Sequence, residues 1–166
     1  MRPVIDFARA PAMEISSDNR CIIKTVYPEN IFTFPEGILG FESIKEYVFL
    51  LNEKVKPFLF MQALHDSDLS FVCVETFLIK SDYNMKLPER SVEFLEMEKP
   101  EDALVLSLVT IRKKIEDITA NLMSPIVINL RNSRAKQVIF DKSPYPVQYK
   151  IWEAMTAAEQ HSLRVG

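Results

Sequence analysis

Tyr47-Val48-Phe49-Leu50-Leu51, Phe58-Leu59-Phe60-Met61-Gln62-Ala63-Leu64 and Leu69-Ser70-Phe71-Val72-Cys73-Val74 are three short apolar runs, five to seven residues each. They are rich in aromatic and β-branched side chains and are separated by charged or turn-forming connectors. Runs of that length are too short for ordinary helices and have the composition of strands. His65-Asp66-Ser67-Asp68 between the second and third is a polar loop of hairpin size, so the three runs read as an antiparallel meander.

Working outward, the same pattern repeats. Upstream, Ile31 to Phe34 is a short segment stopped by Pro35, and Met13 to Ile15 and Cys21 to Val26 flank the turn-formers Ser16-Ser17-Asp18-Asn19 as a hairpin. Downstream, Ala103 to Ile111 has almost no polar interruption, as expected of a strand covered on both faces. Pro125 to Leu130, Gln137 to Phe140 and Val147 to Ile151 complete the series. Glu89 to Met97 follows Pro88 with acids in its first turn and reads as a short amphipathic helix. A terminal helix is expected over Ile151 to Leu163, where Ile151, Met155 and Ala158 fall at helical spacing. About ten strands with one or two short helices predict an all-β, mainly antiparallel barrel or sandwich rather than alternating βαβ units. The expected organisation is a flexible extension over 1–12, one β domain over 13–152 and a tail over 153–166.

Composition narrows the chemistry. With 166 residues and 48% apolar content the chain is long enough for one core without disulfides or metal. Of its three glycines only Gly37 and Gly40 are internal, which disfavours phosphate loops, since these need several glycines where backbone approaches an anion. A net charge of −3 lacks the basic excess of a typical nucleic-acid binder. Cys21 and Cys73 form no C-x-x-C pair and read as reduced thiols. No run approaches the ~20 apolar residues of a membrane helix, and Asp6 and Arg9 interrupt any apolar leader, so a cytoplasmic protein is expected.

No nucleophile elbow, zinc-protease helix or calcium loop is present, and the sequence points away from an enzyme and from any cofactor or metal. His65 beside Asp66 and Asp68 reads as a solvated hairpin tip. Glu89, Glu93, Glu96, Glu98, Glu101 and Asp102 place six carboxylates in fourteen residues, a field that would steer a basic partner. The basic runs Arg112-Lys113-Lys114 and Arg131 to Lys136 lack the interleaved aromatics of a single-strand stacking platform.

Phe34-Pro35-Glu36-Gly37-Ile38-Leu39-Gly40-Phe41-Glu42 resembles the F-P-x-G-I-x-G-F-E signature of the flagellar assembly factor FliW family. Five further stretches follow in the family's order: Pro57-Phe58 with Met61-Gln62, Leu69 to Val72, Ser107 to Thr110, Thr119 to Asn129, and Lys136 to Ile139. One departure stands out, because Glu75-Thr76-Phe77 replaces the family's proline-containing turn. Pro35, Gly37, Gly40 and Phe41 are read as a structural turn in which the glycines supply positive φ or close packing.

The resemblance implies a non-enzymatic, small all-β protein that exchanges partners: flagellin, the filament subunit, and CsrA, a translational repressor of flagellin; a monomer is expected. Freed of flagellin, such a factor binds CsrA and relieves repression. Two surfaces are expected. Phe58, Phe60, Phe71 and Phe77 are candidates for flagellin. Glu96, Glu98 and Asp102, with Ile111, Lys113, Asn121 and Met123, are candidates for CsrA. The competing reading is a β-barrel that binds RNA directly through its basic runs, whereas the resemblance implies no direct nucleic-acid contact.

Overall fold

The computed structural model describes residues 12–15, 21–25 and 30–165. Eleven strands are present among them: β1 (Ala12–Ile15), β2 (Cys21–Thr25), β3 (Ile31–Thr33), β4 (Glu46–Leu51), β5 (Leu59–Ala63), β6 (Ser70–Glu75), β7 (Ala103–Thr110), β8 (Thr119–Ala120), β9 (Ile126–Asn129), β10 (Arg134–Gln137) and β11 (Tyr149–Lys150). The helices are α1 (Thr76–Ile79), α2 (Glu89–Phe94) and α3 (Ala157–Val165). The expected 1–12 extension lies outside the described residues except for Ala12, where β1 begins, and the turn between β1 and β2 also lies outside them.

Seven strands close on themselves. β3, β4, β5, β6 and β7 pair successively antiparallel, β7 pairs β9, β9 pairs β10, and β10 returns parallel to β3 through Arg134 opposite Thr33. The result is a small barrel with no free edge in the ring, the resolution of the barrel-or-sandwich alternative. β8 and β11 continue the sheet outside the ring, with β8 on the last two residues of β7.

Alternation along each strand divides the core. Phe34, Tyr47, Met61, Leu106, Ile126 and Ile128 fill the barrel and are essentially inaccessible. The outward set of β6 and β7 is covered as well: Val74 is buried with Phe58, Ile79, Leu122 and Ile151, and Val105 and Val109 pack against them. This two-sided cover is why Ala103 to Thr110 carries so few polar residues. A third cluster, Leu95 with Val127, Val138 and Phe140, seats α2 on β9.

Several boundaries differ from expectation. The strand expected at Gln137 to Phe140 runs Arg134–Gln137, because residues 134–137 form the ladder with β9 while Val138 and Phe140 donate to the Pro125 and Met123 carbonyls. The expected 147–151 strand is only Tyr149–Lys150. The terminal helix begins at Ala157, not Ile151; Trp152–Ala154 is an isolated turn and Met155 is extended. Its start is fixed by a reciprocal cap, in which Glu159 N donates to Thr156 Oγ1 at 3.2 Å and Thr156 N donates to Glu159 Oε2 at 2.7 Å. α2 stops at Phe94, earlier than Met97, because Glu96 adopts φ 54 and Met97 N reaches back to the Val92 carbonyl.

The signature turn sits at one end of the barrel. Gly37 and Gly40 have φ 71 and 86, so both use the conformation that glycine permits. Gly37 also lies against the chain: a Cβ there would sit 2.5 Å from Glu42 Cα, whereas the space beside Gly40 is open. Phe34 stacks edge-on against Tyr47 at 5.1 Å, and Phe41 against Phe71 at 5.2 Å. Leu39 N donates to Gln137 Oε1, fastening the turn to β10.

Candidate functional site

The register defines two rims. One holds the signature turn, the start of β6, the end of β10 and the loop after β7; the other holds the end of β6, the start of β7 and the β9–β10 turn. β7 spans them, and eight residues at about 3.3 Å each put its ends roughly 25 Å apart.

The acidic candidates lie together at the second rim. Glu98 pairs with Arg131, whose guanidinium also lies 3.8 Å from Asp102. Asp102 Oδ2 is shielded from solvent and accepts no hydrogen bond among the described residues. The Glu98 carboxylate and, secondarily, Asp102 hold the Arg131 pKa above its ordinary value. Glu96 occupies the left-handed region without glycine's freedom, a strain of about 1–2 kcal/mol. Neighbours hold it there: Asn129 Nδ2 donates to the Leu95 and Glu96 carbonyls at 3.0 and 3.1 Å, and Asn132 Nδ2 reaches Leu95 O and Glu96 Oε2. The end of α2 is therefore tied to the β9–β10 turn with its carboxylates outward.

The same contacts occupy the second basic run. Arg134 Nε donates to the Phe94 carbonyl at 2.6 Å and its guanidinium stacks 4.6 Å from the Phe94 ring. Lys136 Nζ also lies 4.6 Å from the centre of that ring, and it pairs with Glu36. With Arg131 on Glu98, all three cations of this run are engaged within the molecule. Arg112, Lys113 and Lys114 are exposed in the loop after β7.

The remaining candidates disperse. Ile111 is 55% exposed and lies with Lys113 at the first rim. Asn121 and Met123 lie in the β8–β9 connection, part way along β7, where Asn121 Oδ1 accepts from the Met123 and Ser124 amides at 3.0 Å. Asn121 thus shapes that turn. Of the phenylalanines, Phe58 is buried in the core outside the ring. Phe60 is half-buried on the outward face of β5, while Phe71 points inward at the first rim against Phe41 and Tyr47. They do not form one patch.

Phe77 lies elsewhere. Glu75-Thr76-Phe77, the departure from the family pattern, passes from β6 into α1, held by a 2.8 Å hydrogen bond between the buried Thr76 and Ser107 hydroxyls. That helix forms one wall of a cleft of about 240 Å³ lined by Glu75, Phe77, Glu101, Ala103, Val105 and Leu130, among others. Phe77 of the flagellin set and Glu101 of the acidic segment therefore share one recess. No sequence pattern joins them; the β6–β7 pairing does.

Sequence reasoning named Ile111 and Phe41 of the first rim as site residues but not Leu39 or Ile139, and did not join the four. Leu39, Phe41, Ile111 and Ile139 are 69%, 41%, 55% and 44% exposed and lie at that end. Leu39 and Phe41 stand within the signature on either side of Gly40 and are exposed, whereas Ile38, beside Gly37, is buried in the barrel. Among the described residues, no three His, Cys, Asp or Glu side chains group as a metal site, and no helix is long and apolar enough to cross a membrane.

The molecule is a small closed barrel with an acid-lined cleft at one rim and exposed apolar side chains at the other. Residues 17–151 match the family model described as FliW protein. The chain is 36% identical over 135 residues to the flagellar assembly factor FliW of Alkaliphilus metalliredigens, covering 81% of this chain and 83% of that one. It is 37% identical over 139 residues to that of Syntrophus aciditrophicus, with 84% and 87% covered. A crystal structure of the flagellar assembly factor FliW superposes with a TM-score of 0.75 at 28% identity, over 84% of this chain and 96% of that chain. The chain belongs to the FliW family of flagellar assembly factors.

Proposed function

We propose that this flagellar assembly factor is a cytoplasmic, non-enzymatic regulator that binds flagellin and, once freed of it, binds and antagonises the translational repressor CsrA. The observation that carries the reading is the shared cleft. An exchange of partners needs their sites to overlap or to be coupled, and Phe77 and Glu101 line the same recess. The outward carboxylates there suit a basic RNA-binding partner. The engagement of Arg131, Arg134 and Lys136 within the molecule counts against direct RNA binding through that run.

The test is CsrA affinity of Glu96→Lys/Glu98→Lys across ionic strength. About tenfold weaker binding at low salt, with the difference shrinking as salt rises, is expected. Unchanged affinity at every salt removes the acidic rim from the mechanism. A gel shift with flagellin leader RNA checks the competing class, because retention of the RNA without CsrA would favour direct binding.

A further inference from the structure

We infer that the cleft at the acidic rim receives one apolar side chain of a basic partner segment, with Lys or Arg on either side of it. This deepens the acidic-rim reading and rests on it. The walls supply both halves of the recognition. Phe77, Ala103, Leu104, Val105 and Leu130 give an apolar lining, with Glu75 on one wall and Glu101 on the other. At about 240 Å³ the recess falls below the ~300–1,000 Å³ of sites that enclose whole small molecules, so it fits a side chain presented by a larger partner.

Charge selects the flanks. Residues 93–102 carry five carboxylates against one lysine, Lys99. The neighbouring cation, Arg131, is held by Glu98 and Asp102 rather than directed into the recess. An apolar anchor entering beside Glu101 brings its neighbours against the carboxylates of residues 93–102, so acidic flanks are repelled and basic ones retained. The anchor supplies the desolvated contact on which most interface energy concentrates. The walls are stiff, since Thr76 is pinned to Ser107 and Leu130 N donates to the Asp102 carbonyl at 2.9 Å. The site is thus formed before the partner arrives.

The experiment uses the full chain, labelled with ¹⁵N, titrated with three acetylated, amidated peptides: Lys-Lys-Leu-Lys-Lys, Lys-Lys-Ser-Lys-Lys and Glu-Glu-Leu-Glu-Glu. The expected result is saturable amide shifts at Phe77, Ala103, Val105 and Leu130 with the first peptide, at least tenfold weaker binding of the second, and none with the third. Glu101→Lys, a surface change, should weaken the first peptide severalfold and leave the other amide positions undisturbed. If both basic peptides bind equally and shift only residues 93–102, the acidic-rim reading stands and the cleft inference fails. If neither basic peptide produces a shift at millimolar concentration, both fail.

Discussion

Replacing Gly37 by alanine tests whether the signature turn is demanded by geometry. At φ 71 an L-residue loses about 1–2 kcal/mol to the left-handed conformation. The added Cβ would also stand 2.5 Å from Glu42 Cα, 2.6 Å from its carbonyl oxygen and 2.8 Å from its carbonyl carbon. These are backbone atoms that cannot swing away, so the strand entry must shift, at about 1–3 kcal/mol. Together the two effects remove about 2–5 kcal/mol, a large share of the 5–15 kcal/mol that holds a typical domain folded. For a chain of this size each kcal/mol is about 2–4 °C, so the melting temperature should fall by roughly 10 °C. Gly40 supplies the internal control. Its φ is 86 and the space beside it is open, so Gly40→Ala should show the conformational cost alone, roughly 5 °C. Thermal and urea unfolding followed by circular dichroism read both variants. Equal destabilisation of the two would refute the close-approach argument, and a loss below 2 °C for Gly37→Ala would refute the turn's role altogether.

The two buried tyrosines should respond oppositely to loss of the hydroxyl. Tyr47 Oη makes no hydrogen bond among the described residues, so Tyr47→Phe should leave stability unchanged or raise it by up to about 1 kcal/mol. Tyr83→Phe should cost about 1–3 kcal/mol in urea titrations, because Tyr83 Oη donates to the buried Leu122 carbonyl at 2.7 Å. Burial pushes Cys73, Tyr47 and Tyr83 up to about 12, from 9.0 for the thiol and 10.0 for the phenols. Their folded forms hold protons that the unfolded chain releases, so their contribution to stability should be constant well below pH 9 and be lost as pH rises toward 12, less steeply in Tyr47→Phe. Asn129→Ala leaves the Glu96 carbonyl and the Arg131 amide without a partner and the Leu95 carbonyl with Asn132 alone, and should cost about 2–4 kcal/mol by urea unfolding. Glu96→Gly should relieve the φ 54 strain and stabilise by about 1 kcal/mol while weakening CsrA binding, a split that a purely structural role for Glu96 would not give.

The strands with uninterrupted apolar faces were legible because barrel packing and hairpin chemistry act within a few residues. β4, β5 and β6 lie within a residue or two of the runs that open the sequence reading, and β7 within one of its expected span. β10 was displaced for a physical reason: Arg134 and Lys136 face Phe94, so a strand with polar outward positions hides behind a cation stack. The start of α3 was readable, since Thr156-Ala157-Ala158-Glu159 has the spacing of a reciprocal cap, but the apolar positions from Ile151 onward drew the boundary too early. Ring closure through β7–β9 and β10–β3 joins residues far apart in the chain, which no local period reports. For the same reason the cleft was invisible: Phe77 and Glu101 meet only once β6 pairs β7.

That pairing constrains how exchange could operate. If the two partners used opposite rims, exclusion would have to travel roughly 25 Å through a closed, hydrogen-bonded ring whose interior side chains are essentially inaccessible to solvent. Such a core offers few alternative packings, and an element with two arrangements is what long-range coupling needs. Opposite-rim sites should therefore bind almost independently, and a ternary complex should form. A shared rim gives the reverse: Phe77 and Glu101 line one recess, so a partner covering one covers the other. Reciprocity makes the distinction measurable, because each partner must weaken the other by the same factor. Titrating CsrA against a preformed flagellin complex, and flagellin against a CsrA complex, should give equal and large losses of affinity if the cleft is common ground. Unaltered affinity in both directions would move one partner to the rim of Leu39 and Phe41, where the apolar exposure is otherwise unassigned.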